Sequence, residues 1–184
     1  MKKIFNKTSL LMALVSIITV CTVACGNDDD KDMQKPSIVS AGVTVNPVNC
    51  QVYHRGDVIP FYYVFEDDTE LGSFNIEVHD NSDHHSHSTE SDDHDHEGGE
   101  CSHDHEDEEY AHEAAEQHWV YNRSFEIPAG LRRYEARIDI PIPADTLING
   151  KRVPIAEGDY HFMIRLTDRA GWQQLKALAI IIEE

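Results

Sequence analysis

Apolar positions along this chain recur mostly with a period of two. In Leu71–His79, Phe74, Ile76 and Val78 share one face and Asn75, Glu77 and His79 the other, the alternation of a strand with one buried side. Tyr134–Ile142 places Ala136, Ile138, Ile140 and Ile142 inward against Glu135, Arg137 and Asp139 outward. Tyr160–Thr167 turns Tyr160, Phe162, Ile164 and Leu166 inward, and Trp119–Phe125 puts Trp119, Tyr121 and Phe125 on one face. Ile38–Val45 is a β-branched run. Val58–Phe65 is almost continuously apolar, with Pro60 suited to its first residues rather than its middle. A last strand runs from Gln173 to Ile182. Glu66-Asp67-Asp68 reads as a turn, as does Asp168-Arg169-Ala170-Gly171, where glycine suits a positive φ. The pattern predicts an all-β protein, an antiparallel β-sandwich of about seven strands. The one helical pattern, Glu106–Gln117, has Ala111, Ala114 and Ala115 in its favour but almost no apolar face, so it predicts only a short, marginal helix.

Between the strands ending at His79 and starting at Trp119 the periodicity vanishes. From His79 to His118 the chain carries ten of its twelve histidines, fifteen Asp or Glu, and no Lys or Arg. Packing does not account for this, because neither imidazole nor carboxylate fills a core cheaply. Both are natural ligands of divalent transition metals. Three His-x-His pairs occur, His85/His87, His94/His96 and His103/His105, with His84, His112 and His118 nearby. In extended chain, residues two apart project to the same side, so each pair can offer two rings to one ion. Neighbouring carboxylates can complete the shell or orient a ring through its second N–H. The insert spans 80–117.

The N-terminus changes where this loop is expected to act. Lys2, Lys3 and Lys7 precede an apolar run, Leu10–Val20, too short for a membrane span of roughly 20 residues. Thr22-Val23-Ala24-Cys25 resembles a bacterial lipobox, in which the cysteine is acylated and becomes the first mature residue. That predicts a signal peptide over 1–24, a lipid anchor on Cys25, and a flexible acidic tether over 25–35. An ordinary secretory signal cut near Ala24 is the alternative. The formal net charge of −19 argues against nucleic acid as a partner and favours attraction of cations. Cys50 and Cys101 can pair outside the cytoplasm, which would fasten the middle of the loop to the domain edge and remove both thiolates from the ligand set.

A lipobox, an acidic tether and one compact domain over 36–184 together resemble the small lipoproteins of Bacteroidetes classed as a domain of unknown function. The matching segments are Gly56-Asp57-Val58, Asp67-Asp68 with Leu71-Gly72-Ser73-Phe74-Asn75-Ile76, and Gly158-Asp159-Tyr160 leading to Asp168-Arg169-Ala170-Gly171. The resemblance implies an immunoglobulin-like sandwich. It implies no catalytic residues.

In such a sandwich the third and sixth strands run antiparallel side by side, which makes His79 and His161 neighbours on the outward face. With His118 they form a candidate His₃ set beneath the loop, able to hold zinc with an open fourth position. The candidate ligands are therefore His79, His84, His85, His87, His94, His96, His103, His105, His112, His118 and His161. Zinc is the first choice of ion; Ni²⁺, Co²⁺ and Cu²⁺ suit the same ligands. The expected role is capture of these ions by a cell-envelope lipoprotein, at the outer membrane and its surface, for buffering or handover to an outer-membrane transporter. Binding should weaken below about pH 6 as imidazoles protonate. The competing reading is an adhesion or ligand-binding module whose acidic loop is only a solvated insert. No enzyme is expected, since no Gly-x-Ser-x-Gly or His-Glu-x-x-His pattern stands on a suitable scaffold. Arg55-Gly56-Asp57 serves a turn, His54 is a surface residue, and Met163 alone does not indicate copper(I).

Overall fold

A computed structural model describes residues 31–81, 101 and 116–184. Met33–Glu184 forms one compact unit, and among its described residues there is no helix. The strands are β1 (Ser37–Val39), β2 (Gln51–His54), β3 (Val58–Glu66), β4 (Leu71–Asp80), β5 (Tyr121–Glu126), β6 (Arg133–Pro141), β7 (Asp145–Ile148), β8 (Lys151–Pro154), β9 (Gly158–Asp168) and β10 (Gln173–Glu183).

They make a three-stranded sheet ordered β1-β3-β6, a five-stranded sheet ordered β2-β10-β9-β4-β5, and a β7-β8 hairpin. The inward residues read from the alternation are the ones that meet between the sheets. Phe74, Ile76 and Val78 of β4 are buried with Tyr160, Phe162, Ile164 and Leu166 of β9 and Leu178, Ile180 and Ile182 of β10. Opposite them stand Ile59, Phe61, Tyr63 and Phe65 of β3 with Ala136 and Ile140 of β6. Phe61 reaches across to Phe162, with ring centroids 6.0 Å apart, and Phe65 to Phe74 at 5.0 Å. These aromatic contacts between the sheets add to the area they bury.

Three expectations need correction. Ile38–Val45 is not one strand: β1 ends at Val39, because Gly42 adopts a φ of 73° and Pro47 has no N–H to give to a ladder. The chain then changes sheet, and β2 lies parallel to β10, so the larger sheet is mixed rather than purely antiparallel. Seven strands become ten because β2, β7 and β8 are four residues each and carry little periodicity. The helix expected over Glu106–Gln117 lies outside the described residues except at its end, where Gln117 bridges to Ile155.

Two close fits hold β4 and β9 together. A Cβ on Gly72 would stand 2.7 Å from the Asp168 carbonyl oxygen, so only glycine permits the approach at the bulge between Leu71 and Ser73. The expected turn after β9 is built by Asp168, which is 4% exposed. Its Oδ1 accepts from the Gly171 and Trp172 amides at 2.6 and 2.8 Å, and Gly171 has the positive φ the turn requires.

Candidate functional site

The insert leaves the sandwich at the end of β4. In the β4–β9 ladder His79 lies directly opposite His161, and Asp80 opposite Tyr160. The Asn81 amide continues the pairing to the Asp159 carbonyl at 3.0 Å. His79 and His161 both follow the outward parity, and their ring centroids are 5.4 Å apart with a 43° angle between planes. Glu77, two residues before His79 and so on the same face, puts Oε1 3.4 Å from His79 Nδ1. Across from Glu77 is Met163, only 8% exposed despite its outward parity.

The middle of the insert returns to this same outer face. Cys101 is bonded to Cys50, and both pack with Ala179 and Ile181 of β10. Ala179 is the β10 partner of His161, so one cross-strand row reads His79, His161, Ala179. Cys50 is held to that row by its amide, which donates to the Ala179 carbonyl at 2.8 Å, while the Ala179 amide donates to Asn49 Oδ1 at 2.9 Å.

The far end of the insert is held by charge and by backbone. Arg55, with a side chain only 13% exposed, sits 2.7 Å from Glu116 and 3.2 Å from Glu157. This engagement holds the Arg55 side chain between the end of the insert and the Glu157 turn. The Gln117 amide donates to Pro154 and the Ala156 amide to Gln117, each at 3.0 Å. Next to them the Tyr160 hydroxyl donates to the Ala156 carbonyl at 2.7 Å and accepts from the Trp119 amide at 3.3 Å. Burial pushes the Tyr160 phenol above its ordinary value, the Trp119 N–H opposing that shift. The insert is thus moored at Asn81, at Cys101 and at Glu116–Trp119.

His118 does not join His79 and His161. Its Nδ1 lies 3.2 Å from Asp80 Oδ1, and Asp80 follows the inward parity of β4, opposite to His79. Among the described residues, no trio of His, Cys, Asp or Glu that contains a histidine brings ligand atoms within 4.8 Å of one another. The expected three-histidine set is therefore a pair on one face and a single ring on the other. The carboxylate beside that pair is Glu77, visible in the sequence as the i−2 neighbour of His79 on the same face. His84, His85, His87, His94, His96, His103, His105 and His112 lie outside the described residues, as does Cys25. His54 is an exposed residue, near Asp57 and Glu183. No described helix is long and apolar enough to cross a membrane.

The described strands define a β-sandwich, and Asn81, Cys101 and Glu116–Trp119 are the described residues of the 80–117 segment and its exit that the sandwich holds. The family described as Domain of unknown function (DUF4625) matches residues 23–183, and the chain belongs to it. No curated protein matches the chain.

Proposed function

We propose that this protein is a lipid-anchored envelope protein, held by Cys25 at the outer membrane and exposed at its surface, that binds divalent transition metal ions without catalysing a reaction. Zinc is the first candidate; nickel, cobalt and copper(II) accept the same nitrogen and oxygen ligands. The observation that carries this reading is the placement of the insert. A stretch with ten histidines and fifteen carboxylates starts beside a facing pair of imidazoles, and its middle is pinned back to the same face by Cys50–Cys101. The anionic segment raises the local cation concentration, and His-x-His pairs hold the ion. Many weak ligands exchange ions readily, which suits capture, buffering and transfer to an outer-membrane transporter.

The test is equilibrium dialysis of the purified protein against Zn²⁺, Ni²⁺, Co²⁺, Cu²⁺ and Ca²⁺ near neutral pH. A second protein, with all eight insert histidines from His84 to His112 changed to asparagine, is run in parallel. The expected result is uptake of several transition ions per chain at micromolar concentration, most of it lost in the variant. No uptake of any transition ion, or equal uptake by both proteins, overturns the reading.

A further inference from the structure

Asn149 and Gly150 form the tip of the β7–β8 hairpin, between the paired residues Ile148 and Lys151. Their φ angles are 52° and 78°, and both residues are exposed. This is the mirror-image two-residue turn for which Asn-Gly is the preferred sequence. Of the chain's asparagines, Asn149 alone precedes a glycine. We propose that this dipeptide is a site of spontaneous covalent modification in the folded protein, where water converts the asparagine to aspartate and isoaspartate. The Gly150 backbone nitrogen attacks the Asn149 side-chain carbonyl carbon, an approach that a Cβ on the second residue would obstruct. That nitrogen loses its proton as the new C–N bond forms, and the side-chain nitrogen leaves as ammonia. Water then opens the cyclic imide. Opening at the main-chain carbonyl leaves isoaspartate, and opening at the former side-chain carbonyl leaves aspartate. No electrons are exchanged, and solvent is the only reagent.

Closing the imide requires the Asn149 backbone to rotate out of the turn, so the rate follows how often the tip opens. Little keeps it shut. β7 and β8 are four residues each and pair with each other rather than with either larger sheet, and a lone two-stranded hairpin is marginal in water. Leu147 is exposed, as are Lys151 and Arg152. The Arg152–Asp145 ion pair lies at the surface, where such pairs contribute little. Full burial begins only at Val153 and Ile155, at the hairpin's base. Among the described residues nothing hydrogen-bonds the Asn149 side chain. Opening the tip therefore costs far less than unfolding the sandwich. Aspartate tolerates the left-handed conformation and keeps the turn. Isoaspartate lengthens the main chain between residues 149 and 150 and breaks the Ile148–Lys151 pairing. Pro154, whose carbonyl holds the Gln117 amide at the exit of the insert, stands between the buried Val153 and Ile155. The change thus accumulates at the tip with the age of the protein and spares that mooring.

The test is to incubate the purified protein at neutral and at mildly alkaline pH, then digest it and follow the peptides by mass spectrometry. The peptide holding Asn149 should gain the mass difference between amide and acid, ahead of every other asparagine and faster at the higher pH. Isoelectric focusing of the intact protein should show the matching gain of one negative charge, which Asn149→Gln abolishes. Val153→Ala, which loosens the buried base of the hairpin, should speed the conversion several-fold while circular dichroism shows the sandwich intact. A synthetic peptide of residues 143–156 supplies the rate of the open chain. The inference is overturned if the folded protein shows no conversion while the peptide converts fully, or if another asparagine reacts first. Persistence of the charge gain in Asn149→Gln, or an unchanged rate in Val153→Ala, overturns it as well. None of these outcomes bears on metal uptake.

Discussion

Replacing both Cys50 and Cys101 by serine should cost about 4 kcal/mol of stability. The bond closes a ring across a sequence separation of 51. Loop-closure entropy removes about 3 kcal/mol from the unfolded state for a 15-residue ring and about 4.7 for a 100-residue one, and a ring of this size falls near 4. The native sheet gives little reason to expect an opposing term. Cys50 keeps its backbone bond to Ala179, and Asn49 keeps its own, whether or not sulfur is present. Cys50 has a φ of 59°, and serine bears the same left-handed conformation, so that strain cancels in the comparison. The assay is urea unfolding of the two proteins in excess chelator, so that bound metal adds nothing to either. For a chain of this length the melting temperature should fall by roughly 8–16 °C. The slope with urea should rise slightly, because the unfolded chain without its cross-link exposes more surface. A loss below about 1 kcal/mol would refute the reasoning and mean that the insert's middle is as constrained without the bond as with it.

Two further expectations concern the frame around the insert. Tyr160→Phe removes a hydroxyl that serves the Ala156 carbonyl and the Trp119 amide, and leaving such buried groups unpaired should cost about 1–3 kcal/mol in chemical denaturation. The phenol's pKa is raised in the folded state by burial. Its stabilising contribution is therefore complete below the unfolded value near 10 and is lost as pH rises through the folded one. Stability of the native protein should fall above pH 10, and Tyr160→Phe should flatten that decline; an unchanged alkaline profile would contradict the assignment. Gly72→Ala forces a methyl against the Asp168 and Thr167 carbonyls at 2.7–2.8 Å and should destabilise the domain by about 1–3 kcal/mol, measured by thermal melting; a neutral result would mean that the bulge between β4 and β9 yields freely.

Much of the sandwich was legible because its inward faces are written in period two. Phe74, Ile76, Val78 and Tyr160, Phe162, Ile164 announce two strands, and the same parity placed His79 and His161 side by side. Parity stops where a strand stops, and that is why His118 was misplaced. It precedes β5 by three residues, and its side chain meets Asp80, on the inward face, rather than His79. The short strands β2, β7 and β8 were missed because four residues seldom show alternation, and the parallel seat of β2 on β10 depends on a change of sheet that no local pattern encodes. Arg55 looked like turn chemistry alone. Its pairing with Glu116, 61 positions away, is a tertiary fact with no sequence signal.

The mooring of Cys101 on β10 divides one long excursion into two short spans. Residue 91, midway through the first, is ten positions from both Asn81 and Cys101, and none of residues 102–115 is more than seven from the nearer of Cys101 and Glu116. A fully stretched chain of ten residues covers about 35 Å, so no backbone position between those posts can stand farther than that from the nearer one. Should the proposed metal binding hold, any ion taken up between those posts would be delivered within that radius of the sandwich.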